Sequence, residues 1–456
     1  MLTYDLKKSP GVPLYEALYR CIRADILGGK LVPGKKLPSK RTLAANLEVS
    51  KITVEGAYNQ LLAEGYISAR EKVGYFVEAV EAPRLAPEPV AVPAPAAVEE
   101  SAVDLAAGGS AQFPFSVWSR LQRSVMLDLG EELLRPLPNQ GHLGLRQAIA
   151  EHLRAFRGMS VSAEHILIGA GTDFLYNLLL QLLGRELVYA VEEPGYGKIR
   201  RIYAAAGAAC MDAPMDQWGV IPEQLTDAQV LHISPSHHYP TGIITPPSRR
   251  LELLQWAAQG DRWIIEDDYD SEFRFVAHPM STMYSMDRRG RVIYMNTFSK
   301  TLAPSIRISY MVLPGALMEQ FQRQLGFYGC TVPSFEQFTL ERFLREGHFE
   351  KHINRMRKAY KNKRNRLVEL LKNSPIAARI TILEQDAGLH FLLRIATELT
   401  DEALTAQWQA AGIRIRALGE YYHGPTPEED RRCLVVDYSG LTEEDFSQLE
   451  TALKSL

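Results

Sequence analysis

In the run Asn296-Thr297-Phe298-Ser299-Lys300-Thr301-Leu302 a lysine follows a threonine by three residues, carries a hydroxyl on either side, and precedes Arg307 by seven. Serine, threonine and arginine donate hydrogen bonds to phosphate or carboxylate oxygens, so this is an amine set beside an oxyanion site. Upstream, Glu266-Asp267-Asp268-Tyr269 closes an apolar stretch. Asp267 there can hold a heterocyclic nitrogen protonated, and Tyr269 can hydrogen-bond a neighbouring ring oxygen. An amine for an aldehyde, an anion for a pyridinium and donors for a phosphate are what pyridoxal phosphate requires of a protein. Two further pieces suit the same ligand. Gly169-Ala170-Gly171-Thr172-Asp173 offers backbone N–H groups and the Thr172 hydroxyl at a helix start, and Glu193-Pro194-Gly195-Tyr196 puts an aromatic ring on a turn. Either alone reads as ordinary turn chemistry; their order along the chain makes them a set.

The elements that position these residues are strands. Apolar runs at His165–Ile168, Leu187–Val191, Val230–Ile233, Trp263–Ile265, Val292–Met295 and Ile306–Leu313 alternate with helical stretches such as Asp173–Leu183 and Pro247–Gln259. That alternation predicts an α/β domain with a mostly parallel sheet, its ligand at the carboxyl ends of the strands. From Ala316 two long helical patterns lead into a smaller α+β region, with strands near Ile380–Leu383, Leu389–Ile395, Ile413–Arg416 and Leu434–Tyr438. The large part is therefore expected at about 103–315 and the small part at about 316–456.

Residues 1–79 follow another plan. Leu14, Leu18, Ile22 and Ile26 share a helical face, Ser39 and Ser50 stand as N-caps of two further helices, and short strands follow at Tyr66–Arg70 and Gly74–Glu78. Three helices and a hairpin make a winged helix-turn-helix. The chain carries a net charge of −3, yet between Lys30 and Lys51 six basic residues face Glu48 alone, a patch suited to DNA phosphates. Lys36, Ser39, Lys40, Arg41, Ser50, Lys51 and Thr53 are the candidate contacts, and Gly74 lets the wing approach a backbone. Between the two plans, residues 80–102 turn to Ala, Pro, Val and Glu, which predicts a linker of roughly 3.1 Å per residue where it adopts polyproline II.

Composition sets the outer bounds. A chain of 456 residues, 46% hydrophobic and 23% charged, is expected to be soluble, globular and of two or three domains. Four scattered cysteines with no Cys-x-x-Cys pair disfavour a structural zinc or a disulfide framework, so no metal is expected. The N-terminus lacks the apolar core of a signal peptide and no apolar run is long enough to span a bilayer, so the expected location is the cytoplasm, with no membrane partner.

From about Val103 onward the chain resembles the fold type I aminotransferases, Ser/Thr-x-x-Lys with Arg at plus seven being the most specific element. The resemblance implies that Lys300 bonds to the cofactor aldehyde, Asp267 pairs with the ring nitrogen, Tyr269 with the ring hydroxyl and Tyr196 stacks on the ring. It gives the phosphate to Gly171, Thr172, Thr297 and Arg307. Leu14 to Val77 is similar to the GntR winged-helix pattern, although Lys51 stands where that family more often has arginine. The combination, with Ser234-Pro235-Ser236-His237-His238-Tyr239-Pro240-Thr241-Gly242, resembles the MocR subfamily of GntR regulators. It implies a pyridoxal phosphate-dependent transcriptional regulator that binds double-stranded operator DNA as a homodimer. Its effector would be an amine, an amino acid or the cofactor itself. The opposing reading is a working aminotransferase with a DNA-binding head. Against it, Tyr239 replaces the Asn that aminotransferases usually place before Pro-Thr-Gly. The carboxylate-gripping arginine of such enzymes has four candidates, Arg414, Arg416, Arg431 and Arg432, of which Arg432 is taken.

Overall fold

The structure is a computed structural model, and it describes residues 2–456 except 5, 7–11, 72, 81–102, 107, 110–111, 274–280 and 385–387. The chain folds as two compact units, Met1–Glu99 and Glu100–Leu456. Nearly all of the stretch expected as a linker lies outside the described residues.

In the first unit, helices Leu14–Leu27, Lys40–Asn46 and Lys51–Ala63 precede an antiparallel hairpin of β1 (Ile67–Arg70) and β2 (Gly74–Val77). Ser39 and Ser50 cap the second and third helices, each accepting the backbone N–H three residues on at 3.1 Å, an arrangement worth about 1 kcal/mol apiece. Between those helices Glu48 takes a left-handed φ of 53°, which makes the turn sharp. Leu18, Ile22, Leu43, Val54, Tyr58 and Leu61 form the buried centre. Leu14 is exposed: as the first residue of its helix it has no preceding turn to cover it.

The second unit opens on β3 (Val103–Asp104), then builds an eight-stranded sheet from β4 (Ile166–Gly169), β5 (Val188–Glu193), β6 (Ala209–Asp216), β7 (Gly219–Val220), β8 (Val230–Ile233), β9 (Trp263–Asp267), β10 (Val292–Thr297) and β11 (Ser309–Val312). Their order is β4-β11-β10-β9-β8-β5-β6-β7, and the central run β10-β9-β8-β5-β6 is parallel throughout. β11 runs against both neighbours. It begins three residues later than the apolar pattern suggests, because Pro304–Ile306 forms a 3-10 turn and Arg307 is left-handed. β6 is the strand that the pattern does not show. Its sequence Ala-Cys-Met-Asp-Ala-Pro-Met-Asp carries two acids and a proline, tolerated because it lies next to the sheet's end, paired on its outer side only with two-residue β7.

Helices Gly315–Leu325, Ser334–Arg345 and His348–Lys372 lead to the smaller sheet, where the two long patterns expected resolve into three. That sheet holds β12 (Ile380–Leu383), β13 (His390–Ile395), β15 (Arg416–Ala417) and β16 (Cys433–Asp437) in the order β12-β13-β16-β15. The strand expected at Ile413–Arg416 is two: β14 (Ile413–Arg414) pairs instead with β3, in parallel. One large apolar cluster, running from Trp118 and Ile149 through Phe298, Phe343 and Phe391 to Tyr438, joins the two parts of the unit.

Candidate functional site

β9 and β10 are adjacent and parallel, so the residues at their carboxyl ends share one edge. β10 ends at Thr297, whose hydroxyl accepts the Ser299 N–H at 3.1 Å and caps the single helical turn Phe298–Thr301 that carries Lys300. The same Thr297 oxygen accepts the Ser309 hydroxyl at 2.8 Å, which fixes the turn against β11. Thr297 is therefore buried and engaged, while Ser299 Oγ is buried without a partner among the described residues and is the freer hydroxyl for an anion.

Arg307 reaches the same corner from its left-handed position at φ 51°. A Cβ on Gly171 would overlap its guanidinium, and Gly171 itself sits at φ 87°, ψ 163° as the N-terminal residue of helix Thr172–Leu183. Only glycine meets both demands, close approach and that backbone angle. No side chain caps this helix, so its first N–H groups stand open beside the Arg307 guanidinium, a pairing suited to an anion. Asp173 holds Arg307 at 3.2 Å and Lys198 at 2.7 Å.

At the other end, Asp267 is buried, and its Oδ2 accepts the Tyr176 hydroxyl at 2.5 Å with His232 Nε2 3.5 Å away. Its Oδ1 has no partner among the described residues, so a buried carboxylate oxygen is left for a ligand N–H, a group too costly to leave unmet. Tyr269 Oη lies 3.4 Å from His237 Nδ1, which sits 2.8 Å from Asp270. Tyr196 is half exposed on its turn, edge-on to Tyr239 at 5.9 Å between ring centroids. Tyr239 in turn shares a 2.9 Å hydrogen bond with Tyr421 and meets the His390 ring at 5.0 Å.

Asp267 thus ends β9 and Tyr269 follows it, while Thr297 ends the adjacent β10 and Lys300 follows, and Gly171 packs against Arg307. Arg432 does not join them. It occupies the turn before β16 at φ 61°, with its N–H on Asp401 at 2.7 Å and its guanidinium on the Thr397 carbonyl and Glu428. The site lies at the opposite end of that strand, roughly 16 Å on at 3.3 Å per residue. Sequence reasoning also passed over Asp437, Tyr176 and His232. Asp437 carried the signal that flagged Asp267, an acid closing an apolar strand. Tyr176 and His232 sit within apolar runs and gave none.

Asp268 points the other way from Asp267. Arg157 meets it at 2.8 Å with both side chains buried. Burial raises its pKa, but Arg157 with the Ser236, Tyr294 and Ser271 hydroxyls more than offsets this and the carboxyl stays below its usual range. Asp268→Ala would strand a buried guanidinium, and a loss of about 3–5 kcal/mol in urea unfolding is expected. A loss under about 1 kcal/mol would show that water relieves the arginine.

In the first unit Arg41 and Lys51 are exposed at the starts of the second and third helices, and Lys36 is exposed ahead of them. Lys36 also runs beside Gly74, where a Cβ would sit 3.0 Å from its Cε. Lys40 is turned inward to Glu55 at 2.8 Å and over the Tyr75 ring, which fixes the helix to the wing. The Ser39 and Ser50 oxygens are occupied as caps, each also meeting the hydroxyl of Thr42 or Thr53. Ile52, beside Lys51, is 80% exposed, an apolar side chain suited to a thymine methyl that the sequence pattern did not single out.

Residues 14–77 match the model of bacterial regulatory proteins of the gntR family, and residues 101–453 match aminotransferase class I and II. The HTH-type transcriptional regulator YdeL of Bacillus subtilis is 35% identical over 463 residues, covering 100% of this chain and 99% of that protein. The probable rhizopine catabolism regulatory protein MocR of Rhizobium meliloti is 33% identical, covering 99% of this chain and 95% of its own length. Among solved structures, kynurenine aminotransferase of Pyrococcus horikoshii superposes with a TM-score of 0.67 at 22% identity, over 78% of this chain and 90% of that one, a likeness of fold. With both family models matched along its length and full-length regulators at this level of identity, the chain belongs to the MocR type of GntR-family transcriptional regulators, a winged helix joined to an aminotransferase class I and II domain.

Proposed function

We propose that the second unit binds pyridoxal 5'-phosphate through Lys300 and that the ligand state there sets how the winged helix occupies its operator. The observation that carries this is the pair of unmet buried polar atoms, Asp267 Oδ1 and Ser299 Oγ, at or just past the carboxyl ends of the adjacent parallel strands β9 and β10, with Ser299 next to Lys300 in the chain. They fit a pyridinium N–H and a phosphate oxygen. When bound, the group supplies an aldehyde that bonds reversibly to primary amines. Of the chain's own residues, Asp267 keeps the ring nitrogen charged, Tyr269 reaches the ring oxygen, Tyr196 covers a ring face and Lys300 provides the amine. Arg307, Thr172, Ser299 and the N-terminus of helix Thr172–Leu183 take the phosphate, while Thr297 holds the turn.

A second copy of the chain completes this reading. Phe115, Leu127, Leu134 and Phe327 are each more than 70% exposed, and the groove ending on Arg307 is lined by Phe113, Phe115, Trp118 and Val332. Apolar exposure on this scale calls for cover, and a homodimer would give two winged helices for two half-sites. Cofactor uptake followed by absorbance, with operator affinity measured with and without cofactor and candidate amines, tests the proposal. No uptake, or uptake that never changes operator affinity, would sink it.

DNA contact is assigned to the first unit. Lys51→Ala or Arg41→Ala should weaken operator binding and reduce the salt slope by about one unit for each phosphate no longer neutralised. An unchanged slope for both variants would move the DNA-binding surface elsewhere.

A further inference from the structure

Lys300 Nζ, Asp437 Oδ2 and Ser439 Oγ surround one point. A Cβ on Gly108 would lie 3.4, 2.8 and 3.4 Å from them. Asp437 closes β16 and is buried, and its Oδ1 accepts both the Ser439 N–H at 2.9 Å and the Ser439 hydroxyl at 2.6 Å. Its Oδ2 has no hydrogen bond among the described residues. The neighbouring cations are committed elsewhere or are not cations. Lys363 spends its ammonium on the Ser439 carbonyl at 2.9 Å. His390, opposite Asp437 in the strand pair, is kept neutral by burial and by the nearby His237 and Lys300. Lys300 is therefore the charge that faces Asp437, and burial already lifts the Asp437 carboxyl above its usual range although Lys300 opposes this.

On the reading above, Lys300 bonds to the cofactor and ceases to be a free ammonium. Asp437 then loses the cation nearest its Oδ2 and keeps only the more distant influence of Lys363, which favours another cation in the place of the lysine. The same carboxylate repels any ligand that brings a carboxylate to this point. Two residues earlier on the same face of β16 is Val435, which offers an anion nothing. Opposite Val435, Arg416 on β15 is exposed and hydrogen-bonds Tyr421. An exposed guanidinium discriminates weakly, whereas a buried carboxylate discriminates strongly.

We propose that Asp437 makes this a receptor for a carboxylate-free amine: while Lys300 stays bonded to the cofactor, the effector seats a cationic nitrogen on Asp437 Oδ2, and amino acids are excluded. The proposal deepens the cofactor reading and rests on it.

The full chain loaded with pyridoxal phosphate is titrated by calorimetry with 1,4-diaminobutane, ornithine and 4-aminobutanoate. Ornithine is the diamine with a carboxylate added, and 4-aminobutanoate has the second aminomethyl group replaced by one. The diamine should bind at least tenfold more tightly than either. Asp437→Asn, which keeps an oxygen for Ser439, should lower diamine affinity at least tenfold and erase the preference in a chain that still takes up pyridoxal phosphate. Equal or tighter binding of either amino acid, no binding of the diamine, or an Asp437→Asn variant that binds it unchanged would overturn the proposal. Failure of the cofactor reading shows itself separately, as a chain that takes up no pyridoxal phosphate before any amine is added.

Discussion

Lys300→Ala will fold, bind operator DNA and carry no covalently trapped cofactor. Borohydride reduction and peptide mapping of the wild-type chain should find the pyridoxyl group on Lys300, and the variant should carry none. The effect is all or none because, on the proposed reading, the Lys300 amine is the one that bonds the cofactor aldehyde. The winged helix has its own core of Leu18, Ile22, Val54 and Tyr58, so its DNA affinity does not depend on that bond. What the variant should lose is the response of operator affinity to amines, a coupling of about 1–3 kcal/mol, or 5- to 150-fold. Label on a different lysine, or an amine response that survives in the variant, would remove Lys300 from its role. A regulator needs only this bias between two states, whereas an enzyme needs the lysine in every cycle. Rapid transamination by the wild type with no operator binding under any ligand condition would favour the enzyme.

The second large effect belongs to a residue with no side chain. Gly171→Ala must place a Cβ where the Arg307 guanidinium lies and hold φ 87°, ψ 163°, a region essentially closed to alanine. The strain costs about 1–3 kcal/mol, and displacing Arg307 removes a charge-assisted interaction of similar size. Together they predict a fall in cofactor affinity of about 100-fold, since about 1.4 kcal/mol is a factor of ten. Absorbance titration of the apo-chain reads this directly. Retention within threefold of wild type would show that the phosphate is held elsewhere, most simply by Ser299 and the helix N-terminus alone.

The parts legible in the sequence were those written in local chemistry. Ser39 and Ser50 cap helices because a short hydroxyl side chain before a helical run has one favourable use, and Lys300 follows Thr297 by three residues because one turn lifts it from the strand. The central strands read clearly because both faces are buried and their apolar runs are unbroken. What local pattern could not give was partnership across the sheet. β6 hides behind its proline and acids, and Ile413–Arg416 looks continuous although its halves pair with different sheets. Arg432 went astray for the same reason: an arginine beside the right strand is useful only at the right end. Lys40 looked like a phosphate ligand until Glu55, fifteen residues later, claimed it.

The pairing of β3 with β14 has a mechanical meaning. The Pro-rich stretch ends one residue before Val103, and from there the backbone is stitched at Leu105, whose N–H bonds the Arg414 carbonyl and whose own carbonyl takes the Asp437 N–H. At Gly109 it is stitched again, to the Ser439 hydroxyl at 3.1 Å. Gly108, packed against Asp437 and Lys300, thus lies between two held points, Leu105 and Gly109. A change of partner at Lys300 or Asp437 is therefore met by backbone only a few residues from β3, at the edge of the unit rather than deep in its body.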